Sequence, residues 1–253
     1  MKTLVELKEN ERLDDLQLKN LKIIQNRKWF CYGIDSVLLS DFAKEIKGGS
    51  NVLDLGAGNG IIGLLLCGKI NLNQMVGIEI QPDVCEMAVR SVEYNKLQSK
   101  YKMINGDIKD IKNLVVKESF DAVVSNPPYK KANSGVINAD KTKLISRHEI
   151  MCSLENVIEA AFYALKEKGS LYIIHRPERI TDLMNLMRKH RIEPKIMRLI
   201  QPKPSEKPNL VLVKGTKYGN SFLQVPKPLI VYNQDGTYTE ELKKIYGINT
   251  EEM

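Results

Sequence analysis

Short apolar runs and longer amphipathic segments alternate along the middle of this chain. Short runs that end at glycine or polar residues are typical of buried strands, whereas apolar residues three and four positions apart indicate helices. The pattern predicts strands at 51–55, 75–80, 101–104, 120–124 and 170–175. It predicts helices at 36–46, 61–67, 83–96, 154–165 and from 177 to about 190. Regular alternation of this kind predicts an α/β fold in which helices cover both faces of a mostly parallel sheet.

Both ends of the chain depart from this alternation. Two apolar runs, 195–200 and 210–214, are separated only by a proline-rich spacer, which predicts an antiparallel hairpin as the last part of the sheet. Near the start, apolar runs at 21–25 and 29–32 flank three polar residues, which predicts another hairpin. Asp35 follows as the predicted N-cap of the first helix.

These elements fit one compact domain, because 253 residues with 43% hydrophobic content suffice for a single large core. We divide it into an N-terminal hairpin and helix at 1–50, a core at 51–215, and an extension at 216–253. The extension contains a further strand-like run at 229–232. The sequence leaves the oligomeric state open, and a monomer is the expectation.

Composition limits the class of partner. The chain carries a net charge of +7, which permits a polyanionic partner without identifying one. None of the four cysteines forms a Cys-x-x-Cys pair, so we predict reduced thiols and no metal site. The first residues are charged and contain no apolar stretch. We therefore expect no signal peptide, no membrane anchor and a cytoplasmic location.

A glycine-rich turn after the first core strand indicates a cofactor site. Residues 58–63 read Gly-Asn-Gly-Ile-Ile-Gly; such glycines let the backbone approach a ligand, and the next helix presents its N-terminus. A nicotinamide dinucleotide would place its diphosphate here, but Asp54 opposes a diphosphate and suits a cationic amine. Glu79 can accept hydrogen bonds from ribose hydroxyls, and Asp107 from an adenine amino group, with Ile108 against the ring. These features favour S-adenosylmethionine, which carries an ammonium and a sulfonium group and no phosphate.

The tetrad Asn126-Pro127-Pro128-Tyr129 follows the strand predicted at 120–124. An exocyclic amine or an amide nitrogen is a poor nucleophile, because its lone pair is delocalised. The side-chain oxygen of Asn126 and the carbonyl of Pro127 can accept its two N–H bonds and favour a tetrahedral nitrogen. The prolines fix the backbone, and Tyr129 can stack on a base. We predict that all four residues are catalytic.

The glycine turn, Glu79, Asp107 and the tetrad together resemble the ordered motifs of class I S-adenosylmethionine-dependent methyltransferases. That family has a Rossmann-like sheet of seven strands with the last one antiparallel, in agreement with the C-terminal hairpin predicted above. The resemblance and the chemistry together predict these cofactor-binding residues: Tyr32, Gly33, Asp54, Gly56, Gly58, Gly60, Glu79, Ile80, Asp107, Ile108 and Asn126.

Further motifs along nearly the whole chain are similar to the bacterial tRNA adenine-N6 methyltransferases. They are Asp14–Leu16, Leu21–Gln25, Phe30–Asp35, Arg147–Glu149, His175–Arg179, Pro202–Pro204 and Pro228–Tyr232. This resemblance implies methyl transfer to N6 of the adenine at position 37 of a valine tRNA, with S-adenosylhomocysteine as product. Basic side chains near the tetrad would then hold RNA phosphates. They are Lys130, Lys131, Lys141, Lys143, Arg147 and Arg176.

The tetrad by itself does not select the substrate. Another RNA or DNA base, or a protein glutamine amide, presents the same kind of nitrogen and remains an alternative. An RNA-binding module with an inactive methyltransferase fold is a further alternative, which intact glycines and an intact tetrad disfavour. Nicotinamide oxidoreduction leaves the tetrad unexplained.

Overall fold

The computed structural model describes residues 6–29, 31–129 and 152–248. A small antiparallel hairpin near the start consists of β1 (Glu11–Asp15) and β2 (Lys22–Asn26). The main sheet consists of β3 (Asn51–Leu55), β4 (Gln74–Glu79), β5 (Tyr101–Asn105), β6 (Phe120–Ser125), β7 (Leu165–His175), β8 (Ile192–Gln201), β9 (Leu210–Lys217) and β10 (Leu229–Ile230). Its strand order is β10-β8-β9-β7-β6-β3-β4-β5.

Five of the seven α-helices of the described residues correspond to the predicted ones, whereas the two short helices at 111–114 and 240–246 were not predicted. The seven helices are α1 (Ile34–Phe42), α2 (Ile61–Lys69), α3 (Pro82–Tyr94), α4 (Ile111–Leu114), α5 (Leu154–Ala164), α6 (Ile180–Lys189) and α7 (Glu240–Tyr246). Among the described residues, no helix has the length and apolar character that crossing a membrane requires.

The sheet separates two apolar cores. Successive side chains of a strand point to opposite faces, so β3 contributes Val52 to one core and Leu53 to the other. The first core also contains buried residues of α1 and α2, and the second contains those of α5 and α6. Helices therefore cover both faces, as the sequence predicts.

The predicted sheet is confirmed. Strand β9 runs antiparallel to both of its neighbours, β7 and β8, whereas the pairs among β3, β4, β5, β6 and β7 are parallel. These strands, together with β8, make up the expected seven. The run predicted at 229–232 forms only the two-residue strand β10, which pairs with β8 in parallel and extends the sheet by one strand.

The predicted N-terminal hairpin was wrong in its partners. Strand β2 pairs with the preceding strand β1 and not with the described residues of the run at 29–32. After β2 the chain turns at once, because the Asn26 carbonyl accepts from the backbone N–H of Trp29 at 3.1 Å and the Asn26 side chain accepts from that of Lys28 at 2.9 Å. Asp35 is also not the N-cap. Helix α1 begins after Gly33, and Asp35 lies in its first turn.

An ion pair fastens the N-terminal hairpin to the core. The guanidinium of Arg90 in α3 makes two contacts with the Glu11 carboxylate of β1, at 2.5 and 2.8 Å. Hydrogen bonding to Arg90 lowers the pKa of Glu11. A bidentate pair of this kind fixes orientation as well as distance. The ion pair thus holds the hairpin against α3.

The last glycine of the glycine-rich turn has a packing role. A Cβ at Gly63 in α2 would lie 2.3 Å from the ring of Tyr101, which is fully buried on β5. We expect Gly63→Ala to lower the free energy of unfolding by about 1–3 kcal/mol, because overpacking forces the ring or the helix to move. Urea denaturation tests this against Gly48→Ala, whose added Cβ has its nearest neighbour at 3.7 Å. Equal stability of the two variants would contradict the packing role.

Candidate functional site

The two sequence motifs lie side by side at one edge of the sheet. Strands β3 and β6 are hydrogen-bonded neighbours, with Asp54 opposite Val124. The glycine turn follows β3 and the tetrad follows β6, so both emerge at the carboxyl ends of parallel strands. The chain runs from β3 outward to β4 and β5 and then returns to β6 on the other side of β3. Open α/β sheets bind ligands at such a switch point.

The glycine turn leaves room for a ligand. The φ angles of Gly56, Gly58 and Gly60 are +76°, +56° and +81°, and residues other than glycine rarely adopt such positive values. A Cβ at Gly56 or Gly58 would meet no described atom within 4 Å. Gly60 is the N-cap of α2, so the N-terminus of that helix faces the same space. The predicted roles of these glycines in binding are consistent with this geometry.

Glu79 stands at the end of β4 beside the turn. One carboxylate oxygen accepts from the backbone N–H of Gly58 at 2.9 Å, and the other accepts from that of Gln81 at 2.9 Å. The side chain is therefore held in one orientation. The side-chain nitrogen of Gln81 makes a longer third contact with this carboxylate, at 3.4 Å. Because a carboxylate has about four acceptor positions, Glu79 keeps acceptor capacity for a ligand hydroxyl. Ile80, the next residue, is half-buried.

Asp54 is a fully buried carboxyl group beneath the turn. Neither of its oxygens has a hydrogen-bond partner among the described residues. Burial, reinforced by the negative charge of Glu79, raises the pKa of Asp54 to about 8. A cation held by the glycine turn would compensate this carboxylate, whereas a diphosphate would be repelled. The residues at this position therefore fit a positively charged ligand.

Asp107 and Ile108 follow β5, farther along the same edge. One oxygen of Asp107 accepts from the backbone N–H of Lys109 at 2.9 Å, and the other lies 3.3 Å from the Lys109 ammonium. Asp107 thus caps the short 3₁₀ turn that begins at Ile108. Ile108 is buried in the second core. Both residues lie on the predicted side of the site, and their contacts to adenine stay a prediction.

The tetrad forms a polar cluster with the start of α1. The Tyr129 hydroxyl lies 2.6 Å from the side-chain oxygen of Asn126 and 2.9 Å from a carboxylate oxygen of Asp35. The other end of the Asn126 side chain lies 3.4 Å from the Ser36 hydroxyl. Pro127 is buried, which anchors the tetrad in the core. The cluster joins residues about ninety positions apart in the chain.

The Tyr129 ring is covered by the end of β7. The Arg176 guanidinium lies 5.0 Å from the ring centre, and the His175 ring meets it edge-on at 5.5 Å. Burial, together with the Asp35 carboxylate, raises the pKa of Tyr129 well above its ordinary value. Burial also lowers the pKa of His175 to about 4, so His175 is neutral near pH 7. Arg176 is exposed and donates to the Asn209 carbonyl at 3.0 Å.

Sequence reasoning gave no site role to Gln25 of β2. Its side-chain oxygen accepts from the backbone N–H of Tyr32 at 3.0 Å and lies 3.4 Å from the side-chain nitrogen of Asn59. It therefore ties Tyr32 and Gly33, both predicted to bind the cofactor, to the glycine turn. A polar residue at the end of the apolar run at 21–25 was the available signal.

Five predicted RNA-binding residues lie outside the described residues: Lys130, Lys131, Lys141, Lys143 and Arg147.

Comparisons with known proteins agree with this arrangement. The methyltransferase small domain family model matches residues 22–191. A relative from Porphyromonas gingivalis, named tRNA1(Val) (adenine(37)-N6)-methyltransferase, is 28% identical over 92% of this chain and 93% of its own length.

Solved structures share the fold. A crystal structure of a predicted O-methyltransferase from Agrobacterium tumefaciens has a TM-score of 0.68 and 20% identity, over 84% of this chain and 95% of that one. TYW2 from P. horikoshii, in complex with MeSAdo, has a TM-score of 0.57 and 12% identity, over 84% of this chain and 73% of that one. At these identities the likeness concerns the fold alone.

Proposed function

Because this chain belongs to the methyltransferase small domain family, we propose that it transfers a methyl group from S-adenosylmethionine to the exocyclic N6 of an adenine in tRNA. The target we propose is position 37 of a valine tRNA, beside the anticodon. The observation that carries the proposal is the pairing of β3 with β6, which sets the glycine turn and the tetrad side by side.

S-adenosylmethionine, when bound, supplies a methyl group made electrophilic by the sulfonium to which it is attached. The chain's own residues bind and orient this cofactor. Glu79 would accept hydrogen bonds from the ribose hydroxyls, and the amides of the glycine turn would approach the ligand closely. Asp54 favours its positive charge. The expected product of the transfer is S-adenosylhomocysteine.

Asn126 and Pro127 activate the substrate nitrogen. Two oxygen acceptors beside the amine favour a tetrahedral nitrogen whose lone pair is free to attack. Such preorganised dipoles act strongly in a site from which water is excluded, and Pro127 is buried. No strong general base is needed, because the methylated ammonium product loses its proton readily.

The tRNA substrate is supported by the relative's name over nearly the whole chain and by the net charge of +7. An anticodon-loop base is unpaired or easily splayed, so removing it from the stack costs only a few kcal/mol. The proposal assumes a monomer in the cytoplasm, where tRNA is modified.

The nature of the methylated atom is the direct test. Purified protein is incubated with methyl-labelled S-adenosylmethionine and an unmodified valine tRNA transcript, which is then digested for mass spectrometry. We expect N6-methyladenosine from this transcript and none from a matched transcript with guanine at position 37. Label on another nucleoside, or only on a glutamine-containing protein, would contradict the proposed substrate.

Salt dependence tests the class of substrate separately. Displacing counterions from a nucleic acid makes binding weaken steeply as salt rises. We expect kcat/KM for tRNA to fall by about tenfold or more between about 50 and about 200 mM salt. Cofactor binding, measured by calorimetry over the same range, serves as the control and should change far less. A flat response of kcat/KM would count against tRNA.

A further inference from the structure

The Tyr129 hydroxyl has one proton and two acceptors within reach. The Asp35 carboxylate oxygen lies at 2.9 Å, and the atom assigned as the side-chain oxygen of Asn126 lies at 2.6 Å. A hydroxyl donates to one acceptor at a time. A carboxylate forms the stronger, charge-assisted hydrogen bond. The Tyr129 hydroxyl therefore donates its hydrogen bond to Asp35 and turns a lone pair towards Asn126.

This lone pair decides which way the Asn126 amide faces. Two oxygen atoms 2.6 Å apart with no proton between them repel each other. The oxygen and nitrogen of an asparagine side chain are assigned from such networks. The consistent arrangement has the Asn126 nitrogen donating to Tyr129 and its oxygen at the opposite end of the amide. Among the described residues, that opposite end makes a long contact of 3.4 Å with the Ser36 hydroxyl. A substrate amine can replace this weak contact.

We propose that Asp35 is a positioning residue, which acts through Tyr129 to present the oxygen of Asn126 to the substrate amine. The inference rests on the proposed function, in which that oxygen accepts an N–H bond. When Asp35 does not accept the hydrogen bond of the Tyr129 hydroxyl, that hydroxyl donates to Asn126 instead. The amide then turns its nitrogen towards the substrate, where one N–H donor faces another.

Replacing Asp35 by asparagine reverses the network without removing the side chain. One oxygen of Asp35 accepts from the backbone N–H of Ser36 at 2.9 Å. That N–H is in the first helical turn and has no partner within the helix. The asparagine oxygen stays with it, so the asparagine nitrogen faces Tyr129. Tyr129 then accepts from residue 35 and donates to Asn126.

The test compares Asp35→Asn, Tyr129→Phe and the double variant in single-turnover methylation of tRNA. We expect Asp35→Asn to lower the rate by about 10²–10³, the size of effect seen when one positioned hydrogen-bonding group is lost. In the Tyr129→Phe background the same change should have no further effect, because the proton that Asp35 controls is absent. Asp41→Asn is the matched control. It lies on α1, pairs with Lys44 at 3.1 Å, and should leave the rate unchanged.

Two kinetic results would overturn the inference. A wild-type rate for Asp35→Asn would show that residue 35 does not orient the amide. An equal loss in both backgrounds would show that Asp35 acts by a route other than Tyr129. Cofactor affinity, measured by calorimetry, should be the same in all variants.

A spectroscopic readout separates this inference from the proposed function. In wild type the Asn126 amide protons should show NMR cross-relaxation with the Tyr129 ring protons, and Asp35→Asn should abolish it. Asn126→Ala identifies the amide signals by their loss. If no tRNA is methylated but the cross-relaxation behaves as expected, the proposed substrate fails and the positioning role stands. Unchanged cross-relaxation in Asp35→Asn refutes the positioning role whatever the substrate.

Discussion

Asn126→Ala is expected to abolish methyl transfer while largely preserving S-adenosylmethionine binding, to which ten other predicted residues contribute. The side-chain oxygen of Asn126 stabilises the substrate nitrogen in the transition state. Its loss therefore raises the activation barrier and does not weaken binding in the ground state. Removal of one preorganised hydrogen-bonding group from an enzyme site costs about 10²–10³ in rate, and we expect a loss of at least this size. Single-turnover kinetics with tRNA and labelled cofactor measures it.

Asn73→Ala is the matched control for this substitution. Asn73 precedes β4 at the opposite edge of the sheet, and its side-chain nitrogen donates to the side-chain oxygen of Asn51 at 2.7 Å. This variant should methylate tRNA at the wild-type rate. A single-turnover rate for Asn126→Ala equal to that of Asn73→Ala would remove Asn126 from the mechanism.

Asp54→Asn is expected to change how stability depends on pH. The folded-state pKa of Asp54, about 8, lies above its ordinary value of 3.8. Folding therefore favours the protonated carboxyl. Its contribution to the free energy of unfolding is complete below the pKa of the unfolded state, and it is lost as the pH rises through the pKa of the folded state. Between these values the free energy of unfolding of the wild type should fall relative to the variant by up to about 1.4 kcal/mol per pH unit.

Urea denaturation of both proteins at several pH values between the two pKa values measures this difference. Asp235→Asn is the control, because Asp235 is exposed in a turn after β10. Its pH profile should show no comparable divergence. Parallel profiles for wild type and Asp54→Asn would mean that Asp54 is already ionised in the free protein.

The same carboxyl should couple cofactor binding to protons. A cation in the glycine turn favours ionised Asp54, so binding to the wild type should release a proton and strengthen as the pH rises towards 8. Asp54→Asn should bind more weakly and release fewer protons, as measured by calorimetry in buffers of different ionisation enthalpy. Equal proton release by the two proteins would contradict the role of Asp54.

The site could be predicted where it depends on local sequence and on topology. The runs that form β3 and β6 are short, apolar and bounded, and each is followed by its motif. Parallel strands share one carboxyl edge, so Asp54, Glu79 and Asp107 had to emerge on the same side. The glycine turn and the tetrad become neighbours because β6 returns to pair with β3.

Contacts between distant segments were not predictable in this way. Asp35 was taken for a helix cap, but its carboxylate meets Tyr129, 94 positions later. Strand β2 pairs with the strand that precedes it, β1. The hydrophobic pattern did not identify this partner, because the turn geometry decides it. Lys217 was assigned to the extension, yet it is fully buried at the end of β9. Its ammonium donates to the carbonyls of Phe162 and Leu165 at 2.8 and 2.7 Å.

A crystal structure with bound S-adenosylhomocysteine tests the central claim most directly. The account predicts that the ligand lies in the glycine turn, that its ribose hydroxyls donate to Glu79, and that its sulfur faces the space beside Asn126. A ligand bound elsewhere, or an Asn126 side chain directed away from the sulfur into the protein core, would contradict it.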